Sequence, residues 1–179
     1  MKSKIISLLL ILFFCFATSA TLACWAPPAD EVWGASPDKS FIYHRNNLTG
    51  EITIYQANTP ENIVWQTKLT GFNSLFSTVL LSDQGNILIH IRGNHQIQNR
   101  NDLAIQLIKA DGTIANLPVK VFIDRLVPPP QPLISTAPGK MWMNRIEAFS
   151  TDSLTLINAK GDLKIVSFEK VSFVAPATS

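Results

Sequence analysis

Cysteine is nearly absent from this chain of 179 residues; the two present are Cys15 and Cys24. Cys15 lies inside an apolar N-terminal run, so the rest of the chain has no pair from which to build an internal disulfide. Charge is also scarce. With Lys2 and Lys4 set aside, thirteen basic residues balance thirteen acidic ones. A neutral chain with no clustered Lys and Arg has no surface for tracking phosphates, which argues against nucleic acid as a partner. Beyond the N-terminus no apolar run is long enough to cross a bilayer. Helical spacing is missing as well: no stretch of ten or more residues repeats apolar side chains at three and four, and Pro, Gly and Asn interrupt too often. These absences leave an all-β fold.

What is present begins with an address. Lys2 and Lys4 precede an apolar run from Ile5 to Phe16, followed by the small and polar "ATSATLA", the three-part layout of a secretory signal peptide over residues 1–23. Residues 24–179 are then one exported domain, periplasmic or extracellular, large enough to bury a core. Cys24 directly after the leader resembles the lipid-attachment cysteine of bacterial lipoproteins. Ala23 fits that box, whereas Thr21 and Leu22 depart from it. The resemblance implies a membrane anchor through Cys24; ordinary cleavage after Ala20 or Ala23 implies a soluble product, and both readings stand.

The mature chain repeats itself. Aligned at Ser36, Ser82 and Thr136, three segments read "SPDKSFIYHRN", "SDQGNILIHIRGN" and "TAPGKMWMNR". Each opens with a tight turn at Lys39, Gly85 or Gly139, where only glycine reaches positive φ without steric cost. Each continues in an apolar trio, Phe41–Tyr43, Ile87–Ile89 or Met141–Met143, which reads as a strand buried on both faces. Alternating strands follow in "EITIYQA", "LAIQLIK" and "LTLINAK", then "NIVWQTKL", "TIANLPVKVF" and "DLKIVSF". A short strand precedes each turn, in "EVWGAS", "STVLLS" and "PLISTA". The chain is thus three four-stranded units, at about 30–78, 79–128 and 133–175.

The segment "ASPDKSFIYHRNNLTGEITIYQAN" resembles the SPDG-type blade of bacterial surface and periplasmic β-propellers, and "LLSDQGNILIHIRGN…IKADGTI" resembles the SDDG-type unit of exported bacterial repeat proteins, mostly of unassigned function. The resemblance covers residues 33–168 and implies three propeller-like units, with a β-sandwich as the alternative fold. Lys39, where the family prefers Gly, is a departure. Three blades are fewer than the four that usually close a ring. A homodimer sharing one ring, or an open arc with end strands to cover, would resolve the shortfall. Pro128–Pro132 reads as a stiff connector between the second and third units.

His44, His90 and Asn144 share one offset from the three turns, so equivalent strands would place two imidazoles and an amide at one height. Such a row is a candidate binding site, but it lacks the carboxylate that would complete a metal centre. Arg92 lies beside it, and His95 falls in the polar loop Gly93–Asp102, the kind of segment that carries recognition on a rigid scaffold. There is no Gly-x-Ser-x-Gly, no glycine-rich phosphate cradle and no nucleophile–base pairing. Trp33, Trp65 and Trp142 lie in strands and are assigned to the core, leaving Trp25 exposed. No cofactor is called for. The sequence therefore points to a non-enzymatic exported β-repeat protein that binds another envelope or surface protein, with a hydrolase or metal-dependent enzyme around His44, His90 and Asn144 as the second hypothesis.

Overall fold

The computed structural model describes residues 29–69, 77–129 and 140–175. The expected signal peptide, Cys24, Trp25, the strand expected at "PLISTA", the turn expected at Gly139 and most of the proline connector lie outside the described residues. Within them the protein is all-β, in three antiparallel sheets. The first holds β1 (Glu31–Ala35), β2 (Phe41–Asn46), β3 (Glu51–Gln56) and β4 (Thr59–Lys68) in chain order. The second holds β5 (Ser77–Leu81), β6 (Ile87–Arg92), β7 (Leu103–Lys109) and β8 (Ile114–Pro118), also in chain order. The third holds β9 (Met143–Phe149), β10 (Ser153–Asn158) and β11 (Leu163–Ser167).

The second sheet packs between the other two. Strand period two sends neighbouring side chains to opposite faces. One face of the second sheet places Val79, Leu81, Leu88 and Ile108 in a core with Tyr43, Ile52 and Ile54 of the first sheet. The other face places Ile89, Ile91, Ile105 and Leu107 in a core with Trp142, Leu154, Leu156 and Val166. Hence β6 and β7 are buried at nearly every position, whereas β3 and β10 alternate between buried and part-exposed residues. The two-sided burial read from the apolar trio therefore holds for β6, and β2 is buried on one side only.

The turns at one end of the stack are tied together by a single carboxylate. In the first turn Ser36 N–H donates to the Phe41 carbonyl and Lys39 N–H to the Ser36 carbonyl; Ser82 N–H to Ile87 and Gly85 N–H to Ser82 repeat the pattern in the second. Asp83 in the second turn then accepts the Asp38 N–H of the first, at 2.9 Å, and the Thr151 hydroxyl of the third sheet, at 3.1 Å. Trp65 Nε1–H donates to the Gly85 carbonyl, and the Phe41 ring lies where a side chain at residue 85 would stand.

The third sheet begins later than the sequence suggests. Met141 pairs with Val127 in an isolated bridge, and Trp142 is fully buried with its indole N–H donating to the Arg92 carbonyl at 3.1 Å. The N–H groups of both residues are thereby engaged outside the third sheet, while the Trp142 carbonyl still accepts from Ala159 N–H just past β10, and β9 starts at Met143. The chain end returns to the second sheet, where Val174 exchanges two backbone hydrogen bonds with Ile114 of β8 and covers part of an otherwise open edge.

Candidate functional site

His44 and His90 occupy matching places on β2 and β6. His44 pairs in register with Trp33 and Thr53, and His90 pairs with Val79 and Gln106. Val79 faces the first sheet, so His90, directly opposite it, also faces the first sheet. His44 lies on the other side of β2 from Tyr43, whose hydroxyl donates to the Val79 carbonyl, and so it faces away from the second sheet. The buried layer of Tyr43, Ile52 and Ile54 stands between the two imidazoles. They are equivalent by position, and the structure does not bring them together. Asn144 is exposed near the start of β9. Among the described residues no group of three or more His, Cys, Asp or Glu could hold a metal ion.

His90 is fully buried. Burial, then the positive charges of Arg92 and Arg45, push its pKa from 6.5 down to about 4. Its Nε2 lies 3.1 Å from the Ser77 hydroxyl, which donates its own hydrogen to Gln96 Oε1, so the neutral ring carries its proton on Nε2 and donates to Ser77. A neutral imidazole buried on this face, with one nitrogen committed to a serine of the neighbouring strand, ties β6 to β5 within the second sheet. It is poorly placed to meet a ligand from solution.

His44 stands on the open outer face of the first sheet. Its ring lies 4.7 Å from that of Trp33, and the Trp33 ring lies 5.8 Å from that of Tyr55. His44 Nε2 is 3.4 Å from Glu31 Oε2. The row continues through Thr53, whose hydroxyl accepts from Gln66 Nε2 at 2.9 Å. Trp33 is 59 % exposed, which corrects its assignment to the core. The alternation could have shown this: Trp33 shares its face with Glu31, two residues away on a strand, and not with Val32 or Gly34. Ile63 of β4, in register with Tyr55, is exposed on the same face, and Val64 is exposed at the bulge beside it. At the far end of the stack, Leu163 and Ile165 of β11 are likewise exposed.

The polar loop divides into two halves. Its first half works inside the molecule: Asn94 Oδ1 accepts the backbone N–H groups of Trp142 and Met143, and Asn94 Nδ2 donates to the Met143 carbonyl. Sequence reasoning missed this clamp because its partners are almost fifty residues away. Arg92 is half-buried at the end of β6, and His95 is exposed in a 3-10 turn at Asn94–Gln96. The second half, Gln98–Asn101, faces a surface cleft of about 740 Å³. No family model, curated protein or solved structure matches this chain.

Proposed function

We propose that this chain is an exported, non-enzymatic binding protein: an open arc of three propeller-blade-like sheets whose uncovered end faces dock another envelope or surface protein. One observation carries the reading. Every inner face of the three-sheet stack is covered by a neighbouring sheet, while the two outermost faces display large apolar side chains, Trp33 on one and Leu163 and Ile165 on the other. Exposed apolar side chains rimmed by polar ones mark interaction surfaces. On the first sheet, Glu31, Thr53 and Gln66 supply such a rim. Aromatic anchors of the Trp33 and Tyr55 kind dominate the energetics of protein interfaces. The N-terminal leader supports placement outside the cytoplasm.

The test is photo-crosslinking in intact cells from a benzophenone side chain placed at Trp33 or at Ile165, both of which leave the core untouched. A discrete adduct with a protein of the envelope or surface is expected from at least one position. Twice the mass of the chain would identify the partner as a second copy, and sedimentation equilibrium of the purified protein would then show the dimer. Export and folding of both variants with no adduct from either would overturn the reading.

A further inference from the structure

We propose that the cleft between the Gln98–Asn101 loop and the Asp124–Pro128 segment is a binding site for an acidic peptide segment, whose carboxylates are taken by Arg100, Arg125 and Lys140. The site's lining does not include Trp33, Leu163 or Ile165, and it does not depend on the role proposed for the end faces. Its size, about 740 Å³, is that of a ligand site and exceeds what a single ion needs. Among the described residues three cations line it against one acid, Asp124, which is already paired with Lys160 Nζ. All three cationic residues are exposed, and none forms an ion pair among the described residues.

Both walls are fixed by backbone bonds. On one side the Asp102 carboxylate accepts the N–H groups of Gln98 and Asn99, at 2.7 and 2.9 Å, together with the Asn99 side-chain amide. The Arg100 carbonyl accepts from Lys120 N–H and the Asp102 carbonyl from Val119 N–H, fastening the loop to the 3-10 turn Val119–Val121. On the other side the paired hydrogen bonds of Val127 and Met141 hold Arg125 and Lys140 on neighbouring strands of chain. A cleft already organised by its own hydrogen bonds loses little entropy on binding.

The chemistry of the lining selects the ligand. Two guanidinium groups match carboxylates as planar forks. The amides of Gln98 and Asn101 carry both donors and acceptors, which suits a peptide backbone; an oligophosphate offers acceptors alone. Among the described residues no aromatic side chain lines the cleft to stack on a base or a sugar ring. The otherwise balanced charge of the chain confines the positive field to a short stretch, which fits a few carboxylates and not a long polyanion.

The test is titration calorimetry of the purified exported protein with tetraglutamate, with tetraglutamine and tripolyphosphate in parallel. Saturable binding of tetraglutamate is expected, weakening as salt rises, with no binding of tetraglutamine. Arg100→Ala with Arg125→Ala should weaken it by at least about tenfold. Lys120→Ala, which removes an exposed cation outside the cleft, should leave it unchanged. Circular dichroism checks the fold of each variant, and tetraglutamate should shift the side-chain amide resonances of Gln98 and Asn101. No binding, equal weakening by Lys120→Ala, or unmoved amide resonances would overturn the proposal. Tighter binding of tripolyphosphate would overturn the assignment to a peptide.

Discussion

The first turn stores strain that the second avoids. Lys39 sits at φ 62° and Gly85 at φ 66° in turns with the same hydrogen bonds, so a lysine occupies the left-handed position that a glycine fills one unit later. A side chain there costs about 1–2 kcal/mol, against about 0.5–1 kcal/mol of extra unfolded-state freedom for glycine. Lys39→Gly should therefore stabilise the protein by roughly 0.5–1 kcal/mol, read as a rise in the denaturation midpoint. The reverse change, Gly85→Ala, meets the Phe41 ring at 2.5 Å as well as the unfavourable φ and should cost about 2 kcal/mol or more. The equivalence of these two positions was legible in the sequence because turn chemistry is local.

Burial of His90 was not legible, because the layer that covers its face, Tyr43, Ile52 and Ile54, comes from another sheet; of the two charges acting on it, Arg92 lies on its own strand and Arg45 on that other sheet. With the folded pKa near 4 and the unfolded one near 6.5, the unfolded chain binds a proton between those values that the folded chain refuses. Stability is thus full above pH 6.5 and is lost as pH falls toward 4, by roughly 2–3 kcal/mol. His90→Gln should flatten chemical-denaturation stability across that window, and an unchanged slope in the variant would show that another group is responsible. Asp38 acts lower on the scale. The hydroxyl of Ser36, then the hydroxyl and backbone N–H of Ser40, hold its carboxyl at about 2, so its contribution is present above pH 3.8 and disappears as pH falls through 2.

At the level of elements, strand order could be read because each sheet is a meander of neighbours in sequence, with turns announced by Ser-Pro-Asp, Asp-Gly and Lys-Gly. Two features escaped. The beginning of β9 did, since Met141 and Trp142 are drawn away by Val127, Asn94 and the Arg92 carbonyl, contacts with no local signature. So did the cationic cleft, whose walls come from three separate segments. Asn94 makes the dependence testable: Asn94→Ala leaves the Trp142 and Met143 N–H groups without their acceptor. A loss of about 2–3 kcal/mol is expected, along with faster hydrogen exchange at those two amides than in the rest of the third sheet. Exchange that stays slow there would mean water or backbone rearrangement replaces the clamp.

For the whole molecule, the decisive property is that the second sheet has no face of its own open to solvent. Its cores with the first and third sheets line opposite faces of the same strands β6 and β7, so disordering those strands dissolves both cores at once. Asp83, bonded to both the Asp38 and Thr151 turns, links the three sheets at one end in the same way. Unfolding should accordingly be one cooperative transition, with calorimetric and van't Hoff enthalpies in agreement. Separable blades would instead give stepwise loss, as long arrays of repeats do when the coupling between units breaks down. Asp83→Ala should lower the midpoint yet keep the single transition, because the shared strands and not the turn carry the coupling. A split into two transitions in that variant would transfer the coupling to the carboxylate and make the sheets autonomous units.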